Sequence, residues 1–331
     1  MGGHTDEVER RFKSREHKLF VNGLVEFDCQ DGLADIEQYR LTQKAKEEFL
    51  ADVDMKEKTR HRGKYFITSE KIVSKKLFYS RKIKRQISEL STLLREGNFS
   101  DIQKPLKESG MRTGFACLFS GPPGTGKTET AYQIARDTGR DIMLVDVSET
   151  KSMWYGESEK RIKGVFDRYR GVLKGGGLAP ILFFNEADAV LGKCRELARS
   201  RSGPDQTENT IQNIILQEME NLNGILIATT NMTENFDNAF ERRFLYKIEF
   251  QKPDAESKKM MWKTLISDLS DEDAARLAAR FNFSGGQIEN IARKSKVSFI
   301  LNGKAPDLPI LETFCNEELL EKAEVRIGFV A

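Results

Sequence analysis

The sequence is poor in the residues that build metal or disulfide sites. Its four cysteines, Cys29, Cys117, Cys194 and Cys315, are scattered along 331 residues, and none forms a C-x-x-C pair. That pattern excludes a cysteine-framed metal site and favours reduced thiols in a cytoplasmic protein. Three histidines are too few and too dispersed to supply ligands instead. No run of about 18 apolar residues occurs, so no segment reads as a membrane span. The polar, charged N-terminus does not read as a signal peptide. A formal net charge of +2 gives no global argument for a nucleic-acid partner. What is present supports ordinary cores: hydrophobic residues make up 39% and aromatics 9% of the chain. The length accommodates on the order of two or three small domains.

One stretch organises the rest. Gly121-Pro122-Pro123-Gly124-Thr125-Gly126-Lys127-Thr128 reads G-x-x-x-x-G-K-T, the phosphate-binding loop pattern. It follows a short apolar run, Phe115–Phe119, that reads as a buried strand. It precedes a predicted helix over Thr128–Thr138, with Gly139 just past its end. Glycines let backbone N–H groups turn onto phosphate oxygens, and the helix N-terminus adds its positive dipole end. Residues Gly121 through Glu129 are therefore the candidate contacts for ATP or GTP. Lys127 is placed to reach the β- and γ-phosphates, and the Thr128 hydroxyl to hold Mg²⁺.

Either side of this loop the pattern changes. Leu19–Asp28 reads as a short strand pair turning at Asn22-Gly23. Leu41–Leu50 reads as a helix with Leu41, Ala45, Phe49 and Leu50 on one face. The run Lys71–Arg85 carries Lys71, Lys75, Lys76, Arg81, Lys82, Lys84 and Arg85 and no acid. Apolar residues from Ile72 to Leu94 interleave with it at roughly helical spacing, which predicts a linker entering a packing helix. A patch for phosphate backbones is the other reading. From Gly110 onward, short apolar runs alternate with helical stretches. Candidate strands are Phe115–Phe119, Ile142–Val147, Ile181–Phe184, Ile225–Thr229 and Leu245–Phe250, a pattern that predicts a parallel sheet covered on both faces. Gly192–Glu208 is polar and basic with a Gly-Pro break and reads as a surface loop. After Pro253 only helices are predicted, over Ala255–Leu269, Asp271–Phe281 and Gln287–Leu301.

Two strands end in polar residues of chemical interest. Ile181–Phe184 runs into Asn185-Glu186-Ala187-Asp188. In phosphate-loop enzymes the neighbouring strand carries an acidic pair here, the first acid holding the metal shell and a Glu deprotonating the attacking water. Glu186 is present, but Asn185 brings an amide without charge. Capping of the following helix is the other reading of Glu186 and Asp188, and the phosphate-binding loop favours the catalytic role for Glu186. Ile225–Thr229 leads to Asn231, followed by Glu241-Arg242-Arg243-Phe244.

With these motifs in order, the chain resembles an AAA+ ATPase of the AAA branch over about residues 100–331. Gly121–Thr128, Phe184–Asp188, Thr229–Asn231 and Arg242–Phe244 carry the resemblance. A closer likeness is to bacterial AAA proteins with an N-terminal winged-helix region. The resemblance implies a parallel five-stranded sheet of order 5-1-4-3-2 and a C-terminal helical lid. It implies a partial winged-helix-like accessory region over 1–60, a basic linker and packing helix over 61–109, the α/β domain over 110–252 and the lid over 253–331. It also implies Mg²⁺-dependent hydrolysis of ATP to ADP and phosphate in a homo-oligomeric ring, a hexamer.

Individual residues inherit roles from the same resemblance. Asn231 matches the position that places water near the γ-phosphate. Arg242 and Arg243 match arginine fingers acting on ATP held by the neighbouring subunit, although either can instead form an internal salt bridge. Gly285 and Gly286 match the start of a lid helix that admits the adenine. Trp154, Tyr155 and Gly156 match a loop that grips a protein client in the ring's channel; packing in a core or an interface is the other reading of these aromatics. Two further functions stay open. One is a DNA-associated ATPase using the N-terminal region and Lys71–Arg85. The other is a nucleotide-gated scaffold crippled at Asn185.

Overall fold

In the computed structural model the described residues are 10–12, 14, 16–30, 33–42, 45, 66–146, 157–188, 203–231 and 238–319. The chain divides into two compact units, Met1–Lys64 and Tyr65–Ala331.

The first unit contains helix α1 (Lys18–Val21) and an antiparallel pair, β1 (Val25–Gln30) and β2 (Leu33–Leu41), with a register shift between Phe27 and Asp28. Aromatic rings knit these elements together: Phe20 lies 4.9 Å from Phe27, and Tyr39 lies 5.5 Å from Phe27. Asn22-Gly23 is not the strand turn its composition predicts. Asn22 caps α1, and Gly23 takes a φ of +66° while its N–H donates to the Phe20 carbonyl. Glycine in the left-handed region just past a helix is the alternative use of this dipeptide. Leu41, expected to open a helix, is the last residue of β2, while Ala45 is helical. The rest of that expected helix lies outside the described residues.

The second unit is built on a six-stranded sheet. Its strands are β3 (Phe66–Ile67), β4 (Phe115–Ser120), β5 (Ile142–Asp146), β6 (Ile181–Asn185), β7 (Ile225–Thr230) and β8 (Tyr246–Glu249). The order is β3-β5-β6-β7-β4-β8. From β4 to β8 the strands are parallel and stand in the expected 5-1-4-3-2 order, and β3 adds a short antiparallel edge on β5.

Side chains alternate between two cores, as the pleat requires. Ala116, Leu118, Val145, Phe184 and Leu226 face helices α5 (Glu157–Lys174) and α6 (Gly203–Glu220) through Phe166, Tyr169, Ile215 and Met219. Phe115, Cys117, Phe119, Phe183 and Ile227 face α2 (Arg81–Leu93), α3 (Glu96–Glu108) and α4 (Lys127–Asp137) through Ile83, Leu90, Phe99 and Ile134. A fully buried side chain of this kind contributes roughly 1.5–3 kcal/mol, so the sheet is held from both sides. Helix α6 begins at Gly203 inside the stretch predicted as loop, because Pro204 sits in its first turn, where a missing N–H costs nothing.

A short helix α7 (Asn238–Glu241) precedes β8, and four more follow it: α8 (Ala255–Leu265), α9 (Asp271–Arg280), α10 (Gly285–Asn302) and α11 (Leu308–Glu318). They close on Trp262, Leu277, Phe283, Ile288, Ile291 and Leu311. Ser284 and Gln287 form a reciprocal capping box that fixes where α10 begins. Helix α8 stops at Leu265, short of the predicted Leu269.

Candidate functional site

The loop between β4 and α4 is shaped by its glycines. Gly121 has a φ of +136°, and a Cβ there would lie 2.0 Å from the Phe250 carbonyl oxygen. Gly124 has a φ of +72°, and a Cβ there would lie 2.6 Å from Ser284 Oγ at the head of α10. The loop is thus clamped between the end of β8 and the helical layer, and only glycine fits both places. Gly285 and Gly286 line the cavity beyond the loop, and their nearest neighbour is the loop itself: Gly286 N–H donates to the Gly124 carbonyl at 2.9 Å.

Lys127 is the first residue of α4 and is 93% buried, with 7% exposed. Its ammonium donates to the carbonyls of Gly121 (2.6 Å) and Pro122 (2.8 Å) and to Asn231 Oδ1 (3.0 Å). Burial pulls its pKa below the ordinary lysine value, and the carboxylates of Asp188 and Glu186 push it back up. Thr128 Oγ1 donates to Asn185 Oδ1 at 2.8 Å, and Thr229 Oγ1 donates to the same oxygen at 3.1 Å. The amide oxygen therefore receives two hydroxyls where the expected carboxylate would have carried charge. Glu186 is the one non-glycine among the described residues with positive φ, at +52°. Thr229 holds that bend: its hydroxyl accepts the Glu186 N–H at 3.0 Å and its carbonyl the Ala187 N–H at 2.8 Å. Backbone in this region costs on the order of 1–3 kcal/mol and persists where its surroundings fix it.

Lys127, Thr128, Glu186, Thr229 and Asn231 line a cavity of about 610 Å³. Pro123, Thr125, Gly126 and Glu129 line it with Lys127 and Thr128. Another wall is the segment that the sequence offered as a linker or a patch for phosphate backbones. Ser74, Leu77, Phe78 and Tyr79 face Met261 and Leu265 of α8 across the space. Three ties pin this segment to α4. Lys75 Nζ pairs with Glu129 Oε2 at 3.0 Å, Gln133 Nε2 donates to the Val73 carbonyl at 2.8 Å, and the Tyr79 hydroxyl lies 2.8 Å from Thr130 Oγ1. Thr130 spends its own hydrogen on the Gly126 carbonyl, so Tyr79 is the donor. Burial pushes the Tyr79 phenol up to about 12, which keeps it protonated. Glu129 thus turns toward the wall, where Gln133 also donates to it at 2.9 Å. Lys75 and Lys76 are the members of the basic run that line the cavity.

Gln133→Ala removes the amide bonded to both Val73 and Glu129. Each such bond is worth about 0.5–1.5 kcal/mol net. Nucleotide affinity is expected to fall by about tenfold or less, with turnover at saturating nucleotide unchanged. A fluorescence titration beside a saturating activity assay checks this.

The two arginines differ. Arg243 is held internally, by the carbonyls of Leu216 (3.2 Å) and Ala239 (2.6 Å) and by Glu220 Oε1 (2.5 Å). Arg242 is exposed and its side chain makes no hydrogen bond or ion pair with the described residues. Neither lines the cavity. Trp154, Tyr155 and Gly156 lie outside the described residues. Among the described residues no helix is long and apolar enough to cross a membrane.

The loop and the strand ends of this site fall within a stretch that matches a known family. The family model described as "ATPase family associated with various cellular activities (AAA)" matches residues 117–252. The chain carries an ATPase domain of the AAA family. Three relatives share it. Cell division protein C of Sulfolobus acidocaldarius is 32% identical over 55% of this chain and 50% of its own length. The katanin p60 ATPase-containing subunit A1 of Arabidopsis thaliana is 27% identical over 64% of this chain and 42% of its own. The ATP-dependent zinc metalloprotease FtsH of Lachnoclostridium phytofermentans is 32% identical over 59% of this chain and 35% of its own. The chain thus spans half or less of these curated relatives' lengths. Within the AAA domain lie β5 to β8 and all of Gly121–Thr128, Asn185, Glu186, Asn231, Arg242 and Arg243.

Proposed function

We propose that the chain hydrolyses ATP to ADP and phosphate at this cavity with Mg²⁺, works in a ring of its own copies and acts on a protein substrate. The observation that carries the reading is that Lys127, Thr128, Glu186 and Asn231 line one cavity, with Asn185 bonded to Thr128 behind it. Lys127 and the loop N–H groups bind the β- and γ-phosphates. Glu186 takes the proton of a water whose oxygen bonds to the γ-phosphorus, while the bond to the bridging oxygen breaks and its electron pair leaves with ADP. Asn231 places that water.

The donor set fits magnesium. Thr128 and Asn185 offer a hydroxyl and an amide oxygen side by side, and Mg²⁺ in phosphate sites takes one or two protein oxygens together with the phosphates. When bound there, the metal supplies charge neutralisation across the β- and γ-phosphates. Steady-state phosphate release from ATP, with Mg²⁺ and with chelator, tests the reading. Release that is metal-dependent and above background supports it, and background release in both arms ends it.

Arg242 supports the ring. An exposed, unengaged arginine outside its own cavity suits the phosphates of a neighbouring copy, whereas Arg243 is already spent within the chain. The names of two relatives, an ATPase-containing subunit and an ATP-dependent metalloprotease, agree with an assembly and a protein substrate. Residues 1–60 serve as the accessory region and 253–331 as the lid. Trp154, Tyr155 and Gly156 are the proposed grip on the substrate.

Arg242→Ala is expected to lower turnover by roughly 10³–10⁵ with ATP binding kept, as arginine fingers do elsewhere. Arg243→Ala should lower the melting temperature instead. Mixing Arg242→Ala with Lys127→Ala subunits should restore part of the activity through interfaces that combine one good loop with one good arginine. Mixed assemblies without recovery would count against action across the interface.

A further inference from the structure

We infer that Asp188 is a positioning residue that turns the Asn231 amide so that its oxygen, not its nitrogen, faces the cavity. The Asp188 carboxylate gathers the end of β7. Its Oδ1 accepts the Thr230 hydroxyl and, at 2.9 Å, the Asn231 backbone N–H. Its Oδ2 accepts from Asn231 Nδ2 at 3.4 Å. On the other side, Asn231 Oδ1 accepts from the Lys127 ammonium at 3.0 Å.

An amide has a donor end and an acceptor end, a carboxylate only accepts and an ammonium only donates. Between Asp188 and Lys127, therefore, only one orientation of Asn231 is satisfied. Turned over, the amide would set NH₂ against NH₃⁺ and oxygen against carboxylate. The first mismatch lies at the buried Lys127 ammonium, where unmet polar groups are expensive.

The consequence reaches the reaction and rests on the ATPase reading above. With phosphates bound, Lys127 has oxygens of its own to serve. Asn231, still anchored through Nδ2, then offers the cavity an acceptor. It takes a hydrogen of the attacking water and does not donate to a phosphate oxygen. That leaves the second hydrogen of the water directed to Glu186.

Asp188→Asn tests the idea. The new amide can still accept from Thr230 and from the Asn231 N–H through its oxygen, so the tie to β7 is largely kept. Its NH₂ group, however, now confronts the Asn231 NH₂ and favours the turned-over form. The expected result is a fall in kcat of about 10²-fold, as misplaced reacting groups produce, with ATP affinity within about threefold of the parent. The pair Asp188→Asn with Asn231→Asp conserves charge and restores a donor facing an acceptor. It should recover about tenfold of the loss.

A merely structural Asp188 predicts that melting temperature, binding and turnover fall together, with no rescue by the swap; that outcome overturns the inference. A second readout does not need turnover. In nucleotide-free protein labelled with ¹⁵N-asparagine, the side-chain amide signal of Asn231 should shift on Asp188→Asn. An unmoved signal overturns the assigned orientation even if the parent hydrolyses no ATP, while failed hydrolysis with a shifted signal faults only the reaction.

Discussion

Lys127→Ala is expected to abolish tight ATP binding, with a loss of about 10²-fold or more. Charge-assisted bonds are worth about 1.5–3 kcal/mol each, and in the proposed site one lysine serves two phosphates. The structure explains why nothing compensates. Among the described residues, Lys127 is the lysine seated between the Gly121 and Pro122 carbonyls and Asn231. Of the other cavity lysines, Lys75 is tied to Glu129 and Lys76 lies over the Phe78 ring. The fold should survive, since the substitution removes a charge whose burial is itself unfavourable. Equilibrium titration with ATP beside a thermal melt checks both halves. Parent-like affinity would remove Lys127 from the binding site.

Glu186→Gln is expected to leave ATP binding intact and to slow hydrolysis by about 10²–10⁴-fold, the range for loss of a general base. The side chain is exposed to the cavity and its carboxylate makes no hydrogen bond with the described residues. Exchange for the amide therefore breaks no structural contact. The strained backbone is held by Thr229 through main-chain groups, which the substitution does not touch. ATP should accumulate on the variant, and a ring bridged by ATP should become more stable, visible as a larger species in sizing experiments. Unchanged turnover would take Glu186 out of the mechanism.

Much of this was legible in the residues. Phe115–Phe119 and Ile225–Thr229 are unbroken apolar runs because both faces of their strands are covered. The Gly121–Thr128 pattern carries its geometry with it, since positive φ at Gly121, Gly124 and Gly126 demands glycine. Other features had no local signal. β3 is two residues long, too short for any period to show. Helix α11 starts on Leu308-Pro309, and proline reads as a breaker unless its place in the first turn is known. The wall formed by Ser74–Tyr79 belongs to no helix or strand, and its role comes from Glu129, Thr130 and Gln133, which are distant in sequence. Asp188 reads equally as a helix cap, and only its contacts with Thr230 and Asn231 show where its oxygens go. The two arginines are indistinguishable as letters. They separate only when Glu220, Leu216 and Ala239 are seen around Arg243.

The most direct test of the central claim is a single-turnover experiment. Radiolabelled ATP is bound to excess parent protein and to Glu186→Gln, Mg²⁺ is added, and the reaction is quenched over time to count ATP and ADP on the protein. The account predicts full conversion to ADP by the parent and persistent bound ATP in the variant. Equal conversion by both, or none by the parent while ATP remains bound, would contradict it.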